Sequence, residues 1–306
     1  MLELVRELSL ALRERVLPHL GSHAGRARGA AGAGGDPTFA IDSEAEAELE
    51  RFLAVRAPEL AFYSEDRGLV EPRGGAEHVL VVDPIDGTRP AMAGLESCCV
   101  SVAAAPLPDP AMADVSAACV VEIPSGAVFL AEPGRLVESP GGALSANDDL
   151  SRLFWTYGFR GRPARALTEV LADLIDGSSV GGGTFELGSA AFDMTRVVTG
   201  QLDAYVEPGP LLVADVPGMR EEFERVGGGA VLNNSPYDLA AAALICEEAG
   251  VVVTDARGES LAGRPLLGSG TEFQMSVVAS SNAALHARIL ESVQEGVARL
   301  RSSSGG

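Results

Sequence analysis

The chain has 306 residues, 46% hydrophobic and 22% charged, with a formal net charge of −20 at pH 7. That is enough for one large domain or two smaller ones. The acidic balance gives no electrostatic reason to seek nucleic acid or an anionic membrane, and no apolar run approaches the roughly 18 residues needed to span a bilayer. Cys98, Cys99, Cys119 and Cys246 show no C-x-x-C spacing and read as reduced core thiols of a cytoplasmic protein. The four histidines show no i,i+4 zinc pairing.

In chain order, Leu4, Leu8 and Leu12 recur at helical spacing among Glu3, Arg6, Glu7 and Arg13. This is an amphipathic surface helix ending near Pro18–Gly21, not a signal peptide. The Gly-, Ala- and Arg-rich stretch Gly25–Gly35 is expected to be mobile. Asp42-Ser43 reads as the cap of a second helix, Glu44 to about Val55. A short strand, Leu60–Ser64, ends in Glu65-Asp66, and a β-branched run, Val79–Val82, ends in Asp83. Cys98–Ala105, Ala117–Glu122 and Ala127–Ala131 look like successive strands, the last two joined by a Pro124-Ser125-Gly126 turn.

The polar stretch Glu138–Asp149 is the best boundary between two halves, residues 1–145 and 146–306. The second half opens with an aromatic strand, Leu153–Tyr157, and a helix, Pro163–Leu174. A Gly181-Gly182-Gly183 turn, a helix over Ser189–Val198 and a strand over Leu202–Val206 follow. The stretch Pro208–Gly229 holds a short charged helix around Arg220–Arg225. Ala240–Ala249 is apolar throughout and reads as a buried helix. Strands at Val251–Thr254 and Met275–Ser280 precede a last amphipathic helix, Asn282–Arg299. The mixture is α/β, with helices stacked on sheets.

The chemistry concentrates in Asp83-Pro84-Ile85-Asp86-Gly87-Thr88. Proline after Asp83 is expected to stop the strand and fix a turn. Two carboxylates with the Ile85 carbonyl between them form a hard-oxygen cluster that suits Mg²⁺ better than zinc or copper. Gly87 allows close backbone approach, and the Gly87 and Thr88 amides can face an anion. Other acids sit at element ends, where ligands are usually mounted. Asp238 starts a buried helix after Ser235-Pro236-Tyr237, where a plain helix cap is the competing explanation. Glu65 reads equally well as a surface turn residue.

Together, Asp42, Glu65, Asp83-Pro84-Ile85-Asp86-Gly87-Thr88 and Tyr237-Asp238-Leu239-Ala240-Ala241 resemble the inositol monophosphatase superfamily. Gly188-Ser189-Ala190-Ala191 and Gly200-Gln201-Leu202-Asp203-Ala204-Tyr205-Val206-Glu207 are similar as well, so the likeness covers most of the chain. The resemblance implies a layered αβαβα sandwich and Mg²⁺-dependent hydrolysis of a phosphate monoester. By it, Glu65, Asp83, the Ile85 carbonyl, Asp86 and Asp238 would bind two or three Mg²⁺. Thr88, paired with Asp42, would orient or deprotonate the attacking water, and Glu65 would share in catalysis through its metal. Gly87 and Thr88 would hold the phosphate, while Ala190 and Glu207 would meet the substrate's hydroxyl groups. A small phosphorylated metabolite is the implied partner and a homodimer the implied assembly.

The departures bear on substrate. Arg89-Pro90 adds a positive charge beside the phosphate site, and Phe185 stands where inositol-type enzymes often carry a basic residue. Residues 209–233 form an insertion between Glu207 and Asp238, read as either a lid beside the substrate or a surface loop. Arg160, Arg162 and Arg165 could hold a second acidic group, or simply be a solvated helix start. The expected activity is on a phosphorylated polyol, cyclitol or sugar. The alternatives are a fructose-1,6-bisphosphatase-like or nucleotide 3′-phosphatase-like enzyme, or a catalytically silent binding protein.

Overall fold

The computed structural model describes residues 1–22, 28–31 and 37–303. Helix α1 (Leu2–Val16) buries Val5, Leu8, Leu12 and Val16 on one face. A hairpin of β1 (Arg28–Ala31) and β2 (Pro37–Phe39) leads to α2 (Ala40–Arg56). Then come β3 (Ala61–Ser64), β4 (Gly68–Val70), β5 (His78–Asp86), a short α3 (Thr88–Ala93), β6 (Cys99–Pro106), β7 (Ala117–Glu122), β8 (Val128–Glu132) and β9 (Arg135–Glu138). After residue 150 the order is β10 (Phe154–Tyr157), α4 (Ala164–Ser178), β11 (Gly183–Phe185), α5 (Ala190–Val198), β12 (Ala204–Glu207), α6 (Gly209–Asp215) and α7 (Met219–Val226). The chain closes with α8 (Pro236–Glu248), β13 (Val252–Thr254), β14 (Val277–Ser280) and α9 (Ala283–Ser303).

Two sheets result. One has seven strands in the order β4-β3-β5-β6-β7-β8-β9, antiparallel except for the parallel β3–β5 pair. The other has five, in the order β11-β10-β12-β14-β13. Side-chain alternation assigns their faces. Leu80 and Val82 of β5 pack with α1 and α2. Val79 and Val81 point the other way, into a core shared with α5 and α8. In β12, Tyr205 joins that shared core, while Ala204 and Val206 pack with α4 and α9. The layers are therefore helices, seven-stranded sheet, α5 with α8, five-stranded sheet, helices: the expected αβαβα sandwich. The central layer explains why Ala240–Ala243 are all buried, since a helix between two sheets has no solvent face.

Several local expectations are corrected. Asp42-Ser43 does not cap a helix beginning at Glu44. The helix starts at Ala40, and Asp42 lies inside its first turn, where its Oδ2 accepts the Phe39 amide at 2.8 Å. Pro84 does not end its strand. β5 continues to Asp86 through an irregularity, Asp83 pairing with Ser101 and Asp86 with Cys99. Proline is tolerated there because a bulge residue needs no ladder N–H. Gly183 opens β11 rather than closing a turn. The expected mobility of Gly25–Gly35 falls largely on positions outside the described residues. All four cysteines are buried, as expected.

Candidate active site

The bulge in β5 assembles the site. On a regular strand, positions three apart face opposite sides. Here β5 takes three residue steps, Asp83 to Asp86, against two on β6, Ser101 to Cys99. The extra residue returns both carboxylates to one face. Asp238 reaches them from the first turn of α8, where its Oδ2 accepts the Ser235 amide at 2.6 Å. It is therefore both a helix-terminal acceptor and a member of the cluster. Oxygens of Asp83, Asp86 and Asp238 all lie within 4.8 Å of one another, close enough to share a metal ion.

These acids are held at a cost. Burial, then the charges of Glu65, Asp86 and Asp238, pushes the Asp83 carboxyl well above the usual range. Burial and the Asp86 charge push Asp238 up to about 8. Burial raises Asp86 to about 6, against the stabilising Ala191 amide and Ser189 hydroxyl. Such a group is neutralised either by protons or by a cation between its members. The three carboxylates make a donor set entirely of oxygen, which fits a hard divalent cation.

Glu65 stands in the turn after β3, and its charge acts on Asp83 second only to burial. Thr88 opens α3 and donates its hydroxyl to the Ile85 carbonyl at 3.1 Å, leaving that oxygen a second lone pair. Gly87 caps α3 with φ of +89°. A Cβ there would sit 2.6 Å from the Ser97 carbonyl and 2.9 Å from Ser189 Cβ, so glycine is required twice over. The Arg89 guanidinium lies over the Phe39 ring, 5.6 Å from its centroid, at the start of the helix carrying Asp42.

Helix α5 enters from the opposite side. Ser189 and the Ala191 amide donate to Asp86 Oδ2 at 2.8 and 2.6 Å. Ala190 lines a cavity of about 50 Å³ that also touches Asp86, Asp193, Tyr205, Asn234 and Asp238. At Arg160, Glu186 and Gly188 this cavity meets a larger one of about 700 Å³ lined by Arg89, Leu95 and Phe192.

Glu207 lies behind that wall, against Arg162 and Gly158. It is fully buried at the end of β12, not on the wall of the small cavity. Its carboxylate is 2.7 Å from Arg162 and accepts the Gly209 amide at 2.7 Å. Arg162 is consequently no solvated helix start. Its other N–H groups reach the Asn233 side-chain oxygen at 3.2 Å, the Asn234 side-chain oxygen at 3.3 Å and the Arg160 carbonyl at 3.0 Å. The insertion runs through α6 and α7 and returns Asn233 and Asn234 to the cavity wall. Asp193, Asn233 and Asn234 were not singled out from sequence. Their only local signal is an acid among the apolar residues of the first turn of α5 (Asp193) and an Asn-Asn pair just before the Ser235 cap.

A five-layer α/β sandwich with an acidic oxygen cluster at a strand bulge defines a class of phosphatase scaffolds. The chain matches the Inositol monophosphatase family over residues 2–298 and belongs to that family. It is 28% identical over 275 residues to the fructose-1,6-bisphosphatase/inositol-1-monophosphatase of Methanothermobacter thermautotrophicus, covering 86% of this chain and 85% of that one. It is 25% identical over 260 residues to Nus factor SuhB of Vibrio cholerae, covering 83% and 81%. The Thermotoga maritima IMPase shares the fold with a TM-score of 0.70 at 20% identity, over 98% of this chain and 97% of that one. The protein is a phosphatase, a phosphoric monoester hydrolase.

Proposed function

We propose that the protein is a Mg²⁺-dependent, cytoplasmic hydrolase of a small phosphorylated polyol, cyclitol or sugar. The observation that carries this reading is the approach of Asp83, Asp86 and Asp238 within 4.8 Å, at a corner where two helices begin. Glu65, Asp83, the Ile85 carbonyl, Asp86 and Asp238 would hold two or three ions. Bound there, Mg²⁺ would make a coordinated water nucleophilic at neutral pH and offset charge on the phosphoryl oxygens.

The chain's own groups do the rest. Gly87 and Thr88 present the first amides of α3, which have no partner within their helix, to the phosphate. Thr88, fixed by its bond to the Ile85 carbonyl, and Asp42 orient the attacking water and take up its proton. The wall formed by Ala190, Asn234 and Tyr205 meets the substrate's carbon skeleton. Glu207, held by Arg162, acts on that wall from behind.

A bisphosphate substrate is favoured by one observation, the cavity of about 700 Å³ that carries Arg89 and Arg160 beside the site. The net charge of −20 supports a small-molecule substrate over nucleic acid. Phosphate release from polyol, sugar and aminocyclitol monophosphates and from sugar bisphosphates, with Mg²⁺ and with chelator, tests the reading. Mg²⁺-dependent release from at least one is expected. Release from none would overturn it.

A further inference from the structure

We infer that Asp193 is a specificity-determining residue that binds a substrate hydroxyl adjacent to the phosphate ester; this rests on the phosphatase reading of the site. Asp193 lies in the first turns of α5 and is 2% exposed. Its Oδ2 accepts the Thr156 hydroxyl at 3.2 Å. Its Oδ1 is buried and has no hydrogen-bond partner among the described residues. A buried carboxylate oxygen left without a partner is strongly disfavoured unless something outside the chain pairs with it.

The location says what that partner is. Asp193 lines the same small cavity as Asp86 and Asp238, so a group bound there lies next to the phosphoryl centre. The cavity measures about 50 Å³. A second phosphate set beside the Asp193, Asp86 and Asp238 carboxyls would oppose like charges, whereas a hydroxyl would not, so the partner is a hydroxyl. A hydroxyl both donates and accepts, and it pairs with Oδ1 whether or not that oxygen carries a proton. The other acid of this region, Glu207, is fully buried, has its charge met by Arg162 at 2.7 Å, and does not line the cavity. Asp193 is therefore the carboxyl on the substrate side of the wall.

Glycerol 1-phosphate and propane-1,3-diol monophosphate differ only in the C2 hydroxyl, so their ratio of kcat/KM under saturating Mg²⁺ reads this contact. The wild type is expected to prefer the hydroxylated ester by about tenfold, the scale of one hydrogen bond to a carboxyl group. Asp193→Ala removes the preference, mainly through KM. Asp193→Asn keeps the side-chain volume and an oxygen for Thr156, retains the melting temperature, and cuts the preference at least about threefold. A wild type without preference, or a folded variant whose preference stays within about twofold of the wild type, overturns the inference. If Asp193 only held Thr156 in place, both esters would slow equally and the ratio would not move. A wild type inactive on both esters and on p-nitrophenyl phosphate would instead overturn the phosphatase reading. Activity on p-nitrophenyl phosphate with none on glycerol 1-phosphate would overturn the hydroxyl contact alone.

Discussion

The Asp86 carboxylate accepts the Ala191 amide at 2.6 Å, tying the bulged end of β5 to the first turn of α5. The first sheet thus delivers Asp83 and Asp86, and the central helical layer delivers Asp238 together with the amide and the Ser189 hydroxyl that bind Asp86. The same approach leaves no room at Gly87, where any side chain would press on both Ser97 and Ser189.

Gly87→Ala is therefore expected to destabilise the protein by about 2–4 kcal/mol, combining a left-handed backbone with overpacking. Urea denaturation measures this. Phosphatase activity should fall as well, because Thr88 and Asp86 flank the displaced residue.

Arg162 and Glu207 form a buried pair, and removing either partner strands the other's charge. Arg162→Met and Glu207→Gln are each expected to cost about 3–5 kcal/mol. The double variant should be more stable than the sum of the two losses implies, and a double-mutant cycle by denaturation checks the coupling.

Glu46, one helical turn after Asp42, is 2% exposed. Burial raises its carboxyl to about 7. The folded state then binds the proton more tightly than the unfolded chain does. The resulting stabilisation is full below the unfolded value near 4.5 and is lost as pH rises through 7. In chelator, Glu46→Gln should match the wild type near pH 4.5 and exceed it by up to about 3 kcal/mol at pH 8. A difference that does not change with pH would contradict this assignment.

The acid cluster gives a change of sign. Without metal, Asp83 must either stay ionised beside Asp86 and Asp238 or take up a proton on folding; Asp83→Asn removes that cost and should raise the melting temperature. With Mg²⁺ at about a hundred times its dissociation constant, the wild type gains about 2.7 kcal/mol, and the variant forfeits most of that. Thermal unfolding of both proteins in Mg²⁺ and in chelator measures the crossing. Binding should also release protons, since the acids exchange them for the cation.

Much of this was legible in sequence. The apolar runs of β5, β6 and β7, the buried Ala240–Ala243 stretch and the Asp-Pro-Ile-Asp-Gly-Thr corner all carry strong local signals. What local pattern could not carry was geometry. Pro84 reads as a stop, yet a strand paired on both sides carried the chain through it as a bulge. Asp42 reads as a cap, yet the helix begins two residues earlier. The edge strands β4 and β9 have three and four residues with exposed or mixed faces, too little periodicity to detect. Arg162 looks like part of a solvated basic cluster because its partner, Glu207, is distant in sequence. The unpartnered oxygen of Asp193 depends on the packing of α5 against β10, which no spacing rule encodes.

The most direct measurement is phosphate release by the wild type and Asp238→Asn, on one active monoester, across a Mg²⁺ titration. The expected result is no release in chelator, saturable release with Mg²⁺ for the wild type, and a loss of at least about 100-fold for the variant, which remains folded. Equal turnover with and without Mg²⁺, or an Asp238→Asn protein as active as the wild type, would contradict the metal-centred phosphatase site.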